Sequence, residues 1–404
     1  MKSIVRNLIA LLAFVFVFAS CNDDDGPDTS IDAVKTLTFP ANNYSVNLLP
    51  TGNDLFFEWK DVDEKGMQYL IAFDLPGGDF SNPVYTVSSD NYGNKPSKSF
   101  SHRDLNKIAR LMGLLSSETG SFKWTIFSVR GLKTMKAATE HTITVRRMDG
   151  FDDPPLAVFL TGEATEVGTN PSDALIMQRI EDGVFEIYGQ LTAGKSYSFT
   201  NGNTASAEKY YLDPVENVLK VDANNVNMTV DKTAVYHIYL DFTTGAAAYR
   251  EIVKVALFHN SGQINFWLPY KGLGVWGSVI NMEYDVVRNN VNIATGTTSN
   301  RPNNNPLTGD LDGDERYKFR MVSKSLDGVE TVTEWRTVLS NDSPPGNSPN
   351  PNWYWMIERT NVEQWTNNQI WKIQTRGWAG YTYDVTFVLK GTEPYTHTLV
   401  RTAN

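Results

Sequence analysis

The sequence predicts a mainly all-β chain of tandem β-sandwiches, with one helix in its N-terminal domain. Three observations lead there. Short runs rich in β-branched and aromatic residues recur along the chain, separated by Gly, Pro, Asn and Asp. One segment breaks that pattern with a helical period. The last two regions share a repeated arrangement of glycines, a leucine and a Tyr-x-Phe strand.

Residues 1–20 read as a lipoprotein signal peptide. Lys2 and Arg6 precede an apolar run over residues 7–19, too short for a spanning helix, which needs about 20 apolar residues. Phe18-Ala19-Ser20-Cys21 follows: small residues ahead of a cysteine, as in a bacterial lipobox, and Cys21 is the single cysteine of the chain. An ordinary secretory peptide with a chance cysteine is the alternative. Acyl chains on Cys21, at ~0.8 kcal/mol per buried CH₂, would anchor the chain to a membrane. Residues 21–33, with Asp23, Asp24 and Asp25, then form an acidic tether.

Residues 34–148 make the first β domain. Leu55-Phe56-Phe57-Glu58-Trp59 and Tyr69-Leu70-Ile71-Ala72-Phe73 are strand-like, and Phe122, Trp124 and Ile126 alternate with Lys123 and Thr125 in a half-buried strand. Trp59 and Trp124 lie inside strand patterns and are expected in the core. Ser101-His102-Arg103-Asp104 resembles a capping box. Leu105, Ile108, Ala109, Met112 and Leu115 then fall on one face of a helix of about three to four turns.

Asp149-Gly150-Phe151-Asp152-Asp153-Pro154-Pro155 marks a boundary. Residues 156–255 form a second β module, with Val184-Phe185-Glu186-Ile187-Tyr188 and residues 235–242 among its strands. Residues 256–404 form a third. Four prolines (Pro344, Pro345, Pro349, Pro351) crowd residues 341–352, which are a long loop or a linker to a separate piece. The repeat links these two modules. Gly189-x-Leu191, Gly194 and Tyr197-x-Phe199 match Gly309-x-Leu311, Gly313 and Tyr317-x-Phe319.

Composition excludes several functions. The 404 residues carry a net charge of −10, which opposes nucleic-acid binding, since counterion release needs a basic surface. One cysteine and five scattered histidines support neither an internal disulfide nor a Cys/His metal site. Asp310-Leu311-Asp312-Gly313-Asp314-Glu315 resembles a calcium loop but lacks the sixth-position Gly and twelfth-position Glu, and reads as an acidic turn. No nucleophile elbow or phosphate loop occurs, and no cofactor is expected.

The chain resembles the SusE/SusF family of surface glycan-binding lipoproteins of Bacteroidetes. The lipobox, the acidic run after Cys21 and the order of β regions carry the resemblance. So do Leu160-Thr161-Gly162-Glu163-Ala164-Thr165, then Gly168-Thr169-Asn170, Met177, Gly189-x-Leu191 and Gly194. It implies an immunoglobulin-like first domain at 34–148 and carbohydrate-binding-module sandwiches at 156–255 and 256–404. It further implies a lipid anchor in the outer membrane, surface exposure, and work beside a SusC/SusD-type transporter. The sequence departs at Thr169, where the family's stacking tryptophan is expected. The second module is therefore a spacer or a weakened site. Trp276, after Gly272-Leu273-Gly274-Val275, stands in a comparable place in the third.

Eight of the ten tryptophans lie between Trp267 and Trp378, and none lies between residues 125 and 266. A flat aromatic packs against the C–H face of a sugar at low entropic cost, and polar groups at its edge bond the hydroxyls. The candidate glycan contacts are Trp267, Tyr270, Trp276, Trp353, Trp355 and Trp378. Lys318 and Arg320, which strand alternation puts on one face, are candidates at the edge. Trp335 and Trp371, inside strand patterns, are expected in the core. The expected activity is non-covalent capture of an oligo- or polysaccharide, starch-like or other, without catalysis. Two other readings compete: a structural or adhesion lipoprotein, and a glycoside hydrolase, which needs only a carboxylate pair about 5–10 Å apart.

Overall fold

The computed structural model describes residues 31–60, 66–259, 316–339, 351–360 and 394–402, with shorter runs at 269–270, 273–274, 278–281, 283–285, 290–292, 298–299, 371–372 and 382–389. The signal peptide, Cys21, Trp267, Trp276, Trp378 and the acidic turn at 310–315 lie outside these residues, and of Tyr270 only the backbone is described. The chain divides into two compact units, Met1–Arg147 and Met148–Asn404.

The first unit runs β1 (Leu37–Phe39), β2 (Tyr44–Asn47), β3 (Leu55–Trp59), β4 (Gln68–Asp74), β5 (Tyr85–Ser88), β6 (Ser97–Phe100), α1 (His102–Leu111), β7 (Thr119–Arg130), β8 (Lys133–Lys136) and β9 (His141–Arg146). Two sheets result, ordered β1-β3-β6 and β2-β9-β7-β4-β5, with β8 paired to β7. Pairing is antiparallel except between β2 and β9. Alternation explains how the sheets meet. In β3, Leu55, Phe57 and Trp59 turn inward while Phe56 and Glu58 face out. Phe57 meets Phe73, Phe100 and Trp124 edge-on, with centroids 5.5, 5.2 and 4.9 Å away. Trp59 and Trp124 are 4% and 0% exposed, as the alternation implies.

The helix begins where the capping box places it. Asp104 N donates to Ser101 Oγ at 3.1 Å, and Ser101 N donates to Asp104 Oδ2 at 3.0 Å. Leu105, Ile108 and Ala109 are buried. The helix is 10 residues long, just under three turns, and shorter than expected. It ends at Leu111, with Met112 as its C-cap and Gly113 next. Leu115 therefore lies beyond the helical face assigned to it and is exposed.

In the second unit, β10 (Phe159–Thr161), β11 (Leu175–Ile176), β12 (Gln178–Glu181), β13 (Val184–Leu191), β14 (Ser198–Thr200), β15 (Lys209–Leu212), β16 (Leu219–Val221), β17 (Ala234–Asp241) and β18 (Ala246–His259) come first. Short strands β19 (Pro269–Tyr270), β20 (Leu273–Gly274), β21 (Ser278–Asn281), β22 (Glu283–Asp285), β23 (Asn290–Asn292) and β24 (Thr298–Ser299) follow. The chain closes with β25 (Arg316–Ser325), β26 (Glu330–Thr337), β27 (Met356–Arg359), β28 (Trp371–Lys372), β29 (Thr382–Val388) and β30 (Thr396–Thr402). The fold is all-β.

One sheet orders β11-β10-β14-β15-β16, and a longer one orders β12-β13-β17-β18-β25-β26-β27. Val158, Leu160, Phe185, Ile187, Phe199 and Ile238 pack in the core built by the strands of residues 158–249. β18 pairs β17 over residues 246–251 and β25 over 250–259, so one strand passes through residue 255 and joins both halves of the long sheet. The two Tyr-x-Phe strands of the repeat occupy different sheet positions: Phe199 lies in β14 of the shorter sheet, Phe319 in β25 of the longer one.

Candidate functional site

The strand alternation of β13 sets up the site. Phe185 and Ile187 face the core, so Glu186 and Tyr188 project from the opposite face. On β17, His237 stands directly across from Tyr188 in register. The two rings stack, with centroids 4.3 Å apart and planes within 5°. His237 Nε2 and Glu186 Oε2 share a hydrogen bond of 2.9 Å. From the far end of the chain, Tyr395 Oη donates to Glu186 Oε1. Trp335 of β26 closes the cluster edge-on to Tyr188 and Tyr395, at 6.1 and 5.4 Å.

Beside this network lies a cavity of about 320 Å³ lined by Gln178, Glu186, Trp335, Trp355, Glu358 and Tyr395. Trp355 is half-buried and reaches the cavity because the preceding turn, Pro351–Tyr354, tucks Trp353 inward instead. Gln178 Oε1 is buried and has no hydrogen-bond partner, leaving an acceptor that a hydroxyl could use. Burial pushes the Glu186 carboxyl up. His237, by hydrogen bond and charge, and Tyr395, by hydrogen bond, outweigh burial and hold it below the usual carboxylate range. Burial, then the charge of Glu186, push the Tyr395 phenol well above its ordinary value. At neutral pH the site thus presents an ionised carboxylate held by a neutral phenol.

The other candidates fall as follows. Lys318 and Arg320, expected at a ligand edge, are 2% and 7% exposed. They do share a face of β25, but that face is covered. Lys318 Nζ and Arg320 Nε lie 2.6 and 2.9 Å from Glu334 Oε1, and Arg336 Nε donates to Glu334 Oε2 at 2.9 Å. Trp353, a candidate glycan contact, is instead packed inward: it is 5% exposed, and its carbonyl accepts from Trp371 Nε1 at 2.8 Å. Trp335 and Trp371 are buried, as expected. Of the expected contacts with described side chains, Trp355 alone opens to a cavity. Sequence reasoning did not single out Glu186, Gln178 or Tyr395.

A second cavity, of about 300 Å³, lies at Thr169, the position where the resemblance expects a tryptophan. Thr161, Ser196, Ser198, Thr200 and Asn225 line it, so its walls are hydroxyl- and amide-rich. Among the described residues no group of His, Cys, Asp and Glu could hold a metal ion, and no helix is long and apolar enough to cross a membrane.

Residues 22–126 match the SusE outer membrane protein family, a match that begins at the residue after Cys21. No curated protein matches the chain. Among solved structures, SusF from Bacteroides thetaiotaomicron aligns over 91% of this chain and 100% of its own, with 10% identity and a TM-score of 0.25. A DUF4784 family protein from Bacteroides caccae aligns over 92% and 96%, with 9% identity and a TM-score of 0.18. Both scores are low, and the all-β assignment rests on the strands described above.

Proposed function

We propose that this outer membrane protein, of SusE type over residues 22–126, captures an oligo- or polysaccharide at the Trp355 cavity and holds it without cleaving it. One observation carries the reading: a half-buried tryptophan and an unpartnered Gln178 carbonyl share one cavity. The indole offers a face for the C–H side of a sugar ring. Gln178, Glu186 and Glu358 offer acceptors for its hydroxyls. Trp267, Tyr270, Trp276 and Trp378 extend the proposed contact set from sequence alone. The site is shallow and small, so affinity at one site is weak, on the order of micromolar to millimolar. Residues 34–148 and the tether separate Cys21 from the site along the chain, and a SusC/SusD-type transporter is the proposed recipient of the captured chain.

The presence of two carboxylates, Glu186 and Glu358, in that cavity keeps hydrolysis as the second reading. One experiment separates the two. Soluble residues 34–404 are run in affinity gels containing starch and other polysaccharides, with products assayed in parallel. Retardation without products supports capture; products mean a hydrolase; no retardation by any glycan overturns both. In the gel that retards the wild type, Trp355→Ala should bind roughly tenfold more weakly, the loss of about 1.4 kcal/mol that a stacked aromatic contributes. Its Tm should fall by no more than about 4 °C. An equal collapse of binding and stability would make Trp355 a packing residue.

The proposed anchor has its own test. Cys21→Ala should move the protein from the membrane pellet to the soluble fraction, because the remaining chain offers no acyl group to bury. Continued sedimentation with membranes would refute lipid attachment at Cys21.

A further inference from the structure

The lining of the Trp355 cavity is one-sided in charge, and that narrows its ligand. Two carboxylates line it, Glu186 and Glu358, and no lysine or arginine does. Glu186 is held by His237 and Tyr395. Glu358 is half-buried, and its side chain makes no ion pair or hydrogen bond among the described residues. We propose that this cavity selects a sugar bearing a free amino group, one aminated unit of a glycan chain, and that Glu358 makes the selection. The proposal rests on the glycan reading above.

Strand geometry keeps the chain's own cations away from Glu358. Glu358 of β27 stands opposite Trp335 of β26 in register, so the two side chains share a face. Arg359, the next residue of β27, projects from the other face, as do Glu334 and Arg336 on either side of Trp335. Lys318 and Arg320 follow Glu334 to that other face. Arg250 stands across from His237 in register but does not line the cavity. A carboxylate drawn partly out of water without a cation is costly, and an ammonium brought by the ligand offsets that cost. The walls suit the same group. Trp335, Trp355 and Tyr395 line the cavity, and aromatic faces attract an ammonium. An observation independent of the carboxylates points to a sugar and not to a simple amine. Trp335 is 1% exposed and its Nε1 makes no hydrogen bond, and Gln178 Oε1 is likewise buried without one. An unused donor and an unused acceptor on residues of one wall match hydroxyls, which both donate and accept. Ammonium and hydroxyls together describe an amino sugar. An N-acetylated unit lacks the charge, and a uronate would meet carboxylates of its own sign.

Isothermal titration tests this on residues 21–404 with Cys21→Ala, which removes the lipid site. The ligands are three β-linked tetrasaccharides that differ only at carbon two: cellotetraose, the glucosamine tetramer and its N-acetylated form. The buffer is held at about pH 6, which keeps the sugar amine protonated. The glucosamine tetramer should bind about tenfold more tightly than either neutral one. Glu358→Gln should erase that advantage and leave cellotetraose binding within about twofold, while Tm holds or rises because an uncompensated charge is gone. Trp355→Ala should weaken all three. Glu330→Gln, an exposed change at the start of β26, should alter none, and it controls for general attraction of a cation to a chain of net charge −10. Equal binding of the three tetramers, an unchanged Glu358→Gln isotherm, or equal losses in Glu358→Gln and Glu330→Gln overturn the amino-sugar assignment. So does failure of all three to bind while a polysaccharide gel still retards the wild type and not Trp355→Ala, a result that leaves the capture reading intact. Failure of every glycan to bind overturns both.

Discussion

Glu334→Gln should lower stability by about 3–5 kcal/mol, the cost of breaking a buried ion pair by removing one partner. Glu334 is 0% exposed and receives Lys318, Arg320 and Arg336, so one carboxylate organises three buried cations. The amide keeps the shape but not the charge. For a unit of this size the loss corresponds to a fall in Tm on the order of 10 °C by calorimetry at neutral pH. A fall under about 2 °C would mean that the cations are held by other groups. The pH dependence has a definite sign. Burial pushes the Glu334 carboxyl up, but Lys318, Arg336 and Arg320 bring it below its ordinary value. Its stabilisation is therefore complete above the ordinary carboxylate pKa of about 4.3 and fades as pH falls through the lower folded value. Burial pushes Lys318 down to about 8, against the upward pull of Glu334. The unfolded chain then binds more protons than the folded one between about 8 and ~10.4, so this group makes stability rise with pH across that window. Lys318→Met should flatten that rise.

The same cluster shows where sequence stops being informative. Alternation correctly puts Lys318 and Arg320 on one face of a strand. It cannot say what covers that face, because that depends on where the strand sits in its sheet. β25 lies between β18 and β26, and Glu334 arrives from β26 at the register position facing Arg320. The strands, the capping box at Ser101 and the burial of Trp59, Trp124, Trp335 and Trp371 were legible because each depends on residues close in sequence. The Trp355 cavity was half legible. The aromatic was visible as a residue beside a proline-rich stretch. Its neighbours were not: Tyr395 and Glu186, hydrogen-bonded in the fold, are 209 positions apart in the chain. Nor does local pattern decide between Trp353 and Trp355. The short turn at Pro351–Tyr354 does, by sending one inward and leaving the other half-buried.

Gly162→Ala should be nearly as damaging, at about 2–5 kcal/mol, and for a reason local to the motif that carries the family resemblance. Gly162 has φ +130, which a residue with a Cβ rarely adopts. A Cβ there would lie 2.5 Å from the Ser196 carbonyl oxygen and 2.6 Å from Tyr197 Cα, and backbone cannot yield as a side-chain tip does. The turn is also tied together. Gly162 N donates to the Gly168 carbonyl at 3.0 Å, and Thr165 Oγ1 donates to the Gly162 carbonyl at 2.9 Å. Gly-x-Ala-Thr is thus a backbone requirement. The glycine lets two chain segments touch, Ala164 fits the core beneath, and Thr165 closes the turn. Gly194→Ala is the control. Its φ is +71, but nothing lies within 4 Å of its Cβ position, so only the conformational cost of about 1–2 kcal/mol applies. Thermal unfolding of both variants separates the terms. A Gly162→Ala loss no larger than that of Gly194→Ala would mean that the close approach to Ser196 and Tyr197 relaxes freely. A larger loss would show that the close approach of Gly162 to Ser196 and Tyr197 is a requirement of the second module's fold.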